Sequence, residues 1–142
     1  MDKLLVAKIL LTIVTLAYGL VTVKADFNKT HATNPLWTGH ARFHVVWQIT
    51  SYVGIAAIAL LLIWMPGALA RERLYLAAAF AVVVYGAFMI ALAVMPIYGG
   101  RANDDNGYPP IAAAGMRLDL NVTVFSGMIV LLLIAIALLA SG

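Results

Sequence analysis

The sequence predicts an all-α integral membrane protein, a four-transmembrane-helix bundle with both long loops on one face. Two observations carry this prediction. Hydrophobic residues make up 64% of the 142-residue chain and charged residues only 11%, whereas a soluble domain is about half apolar and about a quarter charged. The hydrophobic residues are also gathered into four runs, each of about 20 residues, which is the length that crosses a bilayer as a helix.

The four runs define the predicted helices, and the chain is a single transmembrane domain that covers residues 1–142. The helices are expected at about 4–23, 43–65, 74–95 and 118–140. The polar segments 24–42 and 97–117 connect them on one face, because an even number of spans brings both long loops to the same side. Asn34-Pro35 has the form of a helix N-cap followed by proline at the first helical position, which predicts that the second helix begins near Pro35.

Composition also limits the cellular context. The chain has no cysteine, which excludes disulfides and thiolate metal sites. The net charge of +3 comes from scattered basic residues and indicates membrane-flanking charge, with no nucleic-acid partner. We expect the protein to be located in a bacterial-type plasma membrane, which the chain crosses several times. Lys3, Lys8, Arg71 and Arg73 lie on the side of the membrane that carries the termini, and this favours termini in the cytoplasm.

Polar residues recur at helical spacing at or just beyond the loop end of three helices. They are Tyr18, Thr22 and Asp26 on the first helix, His40, His44 and Gln48 on the second, and Asp119 and Thr123 on the fourth. Because polar groups at membrane depth usually face the bundle interior, these residues predict a polar pocket at the loop face. Gln48, Tyr18, Thr22 and Thr123 are the candidate ligand-pocket residues.

The first chemistry that this pocket suggests is metal binding. His40 and His44 are four residues apart, a spacing that lets two imidazoles ligate one ion. Asp26 and His31 are the candidate further ligands. Such a set of nitrogen and oxygen ligands suits a divalent metal, with iron, zinc and copper all open.

The second chemistry needs no metal. A histidine beside a carboxylate in a dry pocket can act as a general acid or base. His40 and His44 are the candidate catalytic residues, Asp119 can orient an imidazole, and Arg42 can hold an anionic group. A pocket open to the bilayer would suit a lipophilic small molecule.

The predicted function is therefore binding of a metal ion or a lipophilic small molecule, with catalysis on that molecule as a further expectation. The alternative is a non-catalytic subunit of a larger membrane complex, or a homo-oligomer. In that case, small residues on the third helix would form a contact surface for a partner. They are Ala77, Ala78, Ala79, Ala81 and Gly86.

Overall fold

The computed structural model describes residues 2–103, 107–113 and 115–141. In this part of the chain, four helices are long and apolar enough to cross a membrane: α1 (Lys3–Asp26), α2 (Gly39–Trp64), α3 (Ala70–Ala93) and α4 (Leu120–Ala140). The second loop contains a helical turn, Met95–Tyr98, and an antiparallel hairpin of strands β1 (Ile111–Ala113) and β2 (Met116–Leu118). The four long helices were predicted from the apolar runs, whereas the hairpin was not.

Side-chain caps determine where three of the helices begin. Asp2, Thr38 and Asp119 each accept a hydrogen bond from a backbone amide two or three residues further along, at 2.9, 3.2 and 3.0 Å. Such caps satisfy amide groups that have no partner within the helix. Because Thr38 is the cap, α2 begins at Gly39, and the prediction of a start near Pro35 is wrong.

Asn34 has a different role from the predicted cap. Its side chain accepts a hydrogen bond from the Leu36 amide and donates one to the Thr30 carbonyl, both at 3.0 Å. The residue is fully buried. The first loop is therefore folded around an asparagine side chain, which stabilises a turn in place of a helix.

Helices α1 and α3 form the centre of the bundle, since each of them contacts all three of the other long helices. The hydroxyl of Tyr85 on α3 donates to the Val14 carbonyl at 2.8 Å. The Trp64 indole on α2 donates to Thr12 at 3.0 Å. At the terminal end, the Lys3 ammonium lies 3.3 Å from both Ser141 oxygens. The two chain termini therefore meet at one end of the bundle, and the long loops meet at the other.

Small residues allow the closest helix contacts. A π-helical turn, Ala17–Val21, interrupts α1, and Gly19 within it is buried against Ala56 of α2. A Cβ atom at Gly19 would collide with the Ala56 methyl group. On α3, Ala77, Ala78 and Ala81 are buried in the core. The predicted small-residue surface for a partner is therefore used largely inside the protein itself.

Candidate ligand-binding site

A cavity of about 490 Å³ lies at the loop end of the bundle. All four long helices and both loops contribute to its wall, so it forms only when the whole chain is folded. Much of the wall is aromatic. The rings belong to Tyr18, Trp37, Tyr85, Phe88, Tyr98, Tyr108 and Phe125.

The inner part of the cavity is built from rings packed edge to face. Tyr18 and Tyr85 have their ring centroids 6.1 Å apart at an interplanar angle of 78°, and Tyr85 and Phe125 are 5.4 Å apart at 74°. Phe88 stacks on Phe125 at 4.1 Å. These geometries are favourable for aromatic quadrupoles. The result is an apolar floor whose shape is set by interlocking side chains.

The two floor tyrosines differ in how their hydroxyl groups are satisfied. Tyr85 donates to the Val14 carbonyl. Tyr18 is 1% exposed, and its hydroxyl is buried beside that of Thr15, one turn earlier on α1, although neither hydroxyl reaches full hydrogen-bond geometry with a described residue. Because a buried polar group is usually paired, Tyr18 is the exception in this wall.

The loop side of the cavity carries an ionisable pair. The Nδ1 atom of His31 lies 3.7 Å from Oδ1 of Asp26. It also lies 2.8 Å from the Thr30 hydroxyl, which donates to Oδ1 of Asn28 at 2.7 Å. With its proton directed to Asn28, the Thr30 hydroxyl accepts from His31, so a neutral His31 carries its proton on Nδ1. Nε2 is then the acceptor atom of the ring.

Asparagine contacts hold the second loop onto the start of α4. The Asn121 amide, which lines the cavity, donates to the Ala102 carbonyl at 3.0 Å. The Asn103 amide donates to the second carboxylate oxygen of Asp119 at 3.0 Å. Arg101, on the same loop, also lines the cavity. These contacts position the loop as one wall of the cavity.

The structure brings five of the predicted site residues to the cavity: Tyr18, Thr22, Asp26, His31 and Gln48. The remaining ones, His40, Arg42, His44, Asp119 and Thr123, lie outside its lining. Asp119 caps α4, and the Thr123 hydroxyl donates to the Asp119 carbonyl at 2.7 Å. Thr22 likewise donates back to the Tyr18 carbonyl. Position on the loop face was therefore insufficient to bring a side chain into the cavity.

His40 and His44 lie on an exposed face of α2. Their Nε2 atoms are 3.0 Å apart, and His44 stacks on Trp47 at 5.8 Å. Each step of four residues in an α-helix turns by about 40° beyond a full turn. The stripe from His40 to Gln48 therefore winds around α2, and only Gln48 reaches the cavity wall.

The predicted metal ligands form two separate pairs, Asp26 with His31 and His40 with His44. Within the described residues, no group of three or more histidine, cysteine, aspartate or glutamate side chains could hold a metal ion. The His40–His44 pair could offer two nitrogen ligands to one ion, so a metal bound there would take its other ligands from elsewhere.

Several cavity residues were absent from the sequence-based candidates, among them Tyr85, Phe88, Phe125, Arg101 and Asn121. The rings lie within apolar runs, where nothing in the sequence separates an inward-facing ring from an outward-facing one. Arg101 and Asn121 carried a weak signal, because Arg101 lies in the second loop and Asn121 shortly after it. Trp37, in the first loop, packs edge to face on His31 at 5.2 Å.

The fold and cavity define a small helical-bundle protein with an aromatic-lined cavity at one end. The model of a family of unknown function (DUF6640) matches residues 10–126, and the chain belongs to that family. No curated protein and no solved structure matches the chain. The matched segment includes every residue that lines the cavity except Met128.

Proposed function

We propose that this protein is an integral membrane protein that crosses the bilayer four times and binds a lipophilic small molecule in its loop-end cavity. The outer surfaces of the long helices support the membrane assignment. They expose large apolar side chains, including Leu61, Val83, Ile90 and Leu133, each more than half exposed. In water such a surface would be unfavourable, whereas lipid solvates it. The lipid bilayer is therefore the first proposed partner. As the sequence predicted, we propose that both chain termini lie on its cytoplasmic side.

The cavity is the observation that carries the binding proposal. Its volume of about 490 Å³ lies within the range of roughly 300–1,000 Å³ typical of small-molecule sites. A mainly apolar wall that is rich in aromatic rings and carries a few polar groups is also typical of such sites. A ligand of this kind would place its apolar part against Phe88 and Phe125. Its polar part would lie towards Asp26, His31 and Arg101.

His31 and Asp26 are the residues we assign to any proton transfer. The Thr30 contact directs the imidazole proton to Nδ1, so that Nε2 can accept a proton or a hydrogen bond from a ligand. Asp26 lies close enough to stabilise the protonated ring. His40 and His44 are not included, because they lie outside the cavity.

The test is photolabelling with benzophenone on protein in lipid nanodiscs, followed by mass-spectrometric mapping of the labelled residues. Ala91 lines the cavity, whereas Ala87 is one turn earlier on α3, is also exposed and lies outside the cavity lining. We expect labelling to concentrate on cavity residues. We also expect Ala91→Trp, which places an indole ring in part of the cavity, to lower that labelling at least fivefold, while Ala87→Trp leaves it unchanged. Equal labelling across the outer surface, insensitive to Ala91→Trp, would overturn the proposal.

A further inference from the structure

His40 and His44 form a pair of exposed imidazoles near the start of α2, outside the cavity. Their Nε2 atoms lie 3.0 Å apart, and the ring centroids are 4.5 Å apart at an interplanar angle of 87°. Two nitrogen atoms that each lie about 2.05 Å from one metal ion are about 2.9 Å apart at a right angle and about 3.3 Å apart at the tetrahedral angle. The separation in this pair therefore fits neighbouring corners of a square-planar or tetragonal metal site.

Aromatic neighbours on the same face of α2 hold the two imidazoles in position. Phe43 stacks on His40 with the ring centroids 6.5 Å apart, and Trp47 stacks on His44 at 5.8 Å. When its proton is on Nδ1, each neutral imidazole presents the Nε2 lone pair to an ion. Because side chains that are ordered before binding lose less conformational entropy on binding, this packing favours the capture of an ion.

We propose that His40 and His44 bind one divalent transition-metal ion, that Cu²⁺ is the preferred metal, and that water completes its coordination. Imidazole is a good ligand for copper, a square-planar or tetragonal arrangement is typical of Cu²⁺, and the Irving–Williams order places Cu²⁺ above the other divalent first-row metals. Within the described residues, no third histidine, cysteine, aspartate or glutamate joins the pair. Water can take the remaining positions, because both rings are exposed at the loop end of α2. This site is separate from the cavity and does not depend on the proposed function.

The experiment is a titration of the purified protein in maltoside detergent with CuCl₂, with glycine as a competing chelator and an affinity tag that contains no histidine. Bound Cu²⁺ quenches the fluorescence of a nearby indole, so Trp47, which stacks on His44, reports occupancy of the site. We expect one Cu²⁺ per chain. Without glycine, the electron paramagnetic resonance spectrum of the copper-loaded wild type should show two nitrogen ligands.

The histidine variants test whether the two rings hold the same ion. His40→Gln and His44→Gln should each weaken Cu²⁺ binding by at least about tenfold, because either change leaves a single imidazole. The double variant His40→Gln/His44→Gln should be no more than about threefold weaker than either single variant, since the loss of one ligand already breaks the chelate.

The matched control is His44→Gln/Arg42→His, which keeps three histidines in the chain but places two of them only two residues apart on α2. Side chains at that spacing do not face each other on a helix. The control should therefore bind Cu²⁺ as weakly as His44→Gln, although the loss of the positive charge of Arg42 would by itself favour a cation there.

Three outcomes would overturn the shared site. Wild-type affinity in either single variant would show that one of the two rings does not bind the ion. Wild-type affinity in His44→Gln/Arg42→His would show that the number of histidines matters and their spacing does not. If the losses in the two single variants add up in the double variant, His40 and His44 bind copper separately.

Discussion

The two ends of the bundle are built from the same four helices but are packed with side chains of very different size. At the terminal end the core consists of small and aliphatic residues, including Ala7, Leu11, Ala78 and Leu139. At the loop end, large rings such as Phe125 face one another around a cavity. Small residues let helix backbones approach, whereas rings hold them apart. The position of the cavity is therefore determined by side-chain size along the helices.

The largest expected effect on stability comes from enlarging a core residue at the terminal end of the bundle. Ala78 is 2% exposed in the core, whereas its neighbour Ala79 is exposed. We expect Ala78→Leu to lower the free energy of unfolding by about 3 kcal/mol, because the tightly packed core at the terminal end has no room for three more carbon atoms. Titration with sodium dodecyl sulfate, followed by circular dichroism, measures this in detergent.

Ala79→Leu is the control and should change the free energy of unfolding by less than about 0.5 kcal/mol. The same pair tests the subunit alternative. If Ala78→Leu leaves the isolated protein as stable as the wild type, the small-residue face is not packed inside the bundle, and a partner surface becomes the better explanation.

The contact between Gly19 and Ala56 lies between the two ends and should give an intermediate effect. We expect Gly19→Ala to destabilise the protein by about 2 kcal/mol, since the new methyl group collides with Ala56. The double variant Gly19→Ala/Ala56→Gly moves the methyl group to the other helix and should recover much of the loss. Gly86→Ala, where a Cβ meets no described atom within 4 Å, should be neutral or slightly stabilising. No recovery in the double variant would show that the collision is not the cause.

The long helices could be predicted from sequence because the length of an apolar run is a local property. The residue at which each helix begins, in contrast, depends on which polar side chain caps it. Asn34-Pro35 matched the pattern of a helix start, but Asn34 is held by Thr30 and Leu36, and Thr38 caps the helix. Two side chains could fill the same role, and the sequence does not show that Asn34 bonds back to Thr30 within the first loop and leaves the cap to Thr38.

The cavity lies at the loop end of the bundle, where the sequence predicted a pocket, but the sequence indicated only part of its wall. Tyr18, Thr22 and Asp26 were found because polar side chains in an apolar helix stand out. Phe88 and Phe125 were not, because a ring inside an apolar run is equally compatible with lipid and with a cavity. His40 and His44 were placed in the pocket by their spacing, whereas the rotation of α2 turns them outwards.

The smallest expected effect on stability distinguishes Tyr18 from Tyr85, the two tyrosines at the apolar floor of the cavity. Tyr85→Phe removes a 2.8 Å hydrogen bond to Val14 and should lower the free energy of unfolding by about 1 kcal/mol. Tyr18→Phe removes a hydroxyl that has no partner among the described residues, so it should leave stability unchanged or slightly raised. The same detergent titration without added lipophile measures both. If Tyr18→Phe proves as costly as Tyr85→Phe, the Tyr18 hydroxyl has a structural partner, and the Thr15 hydroxyl one turn earlier on α1 is the candidate.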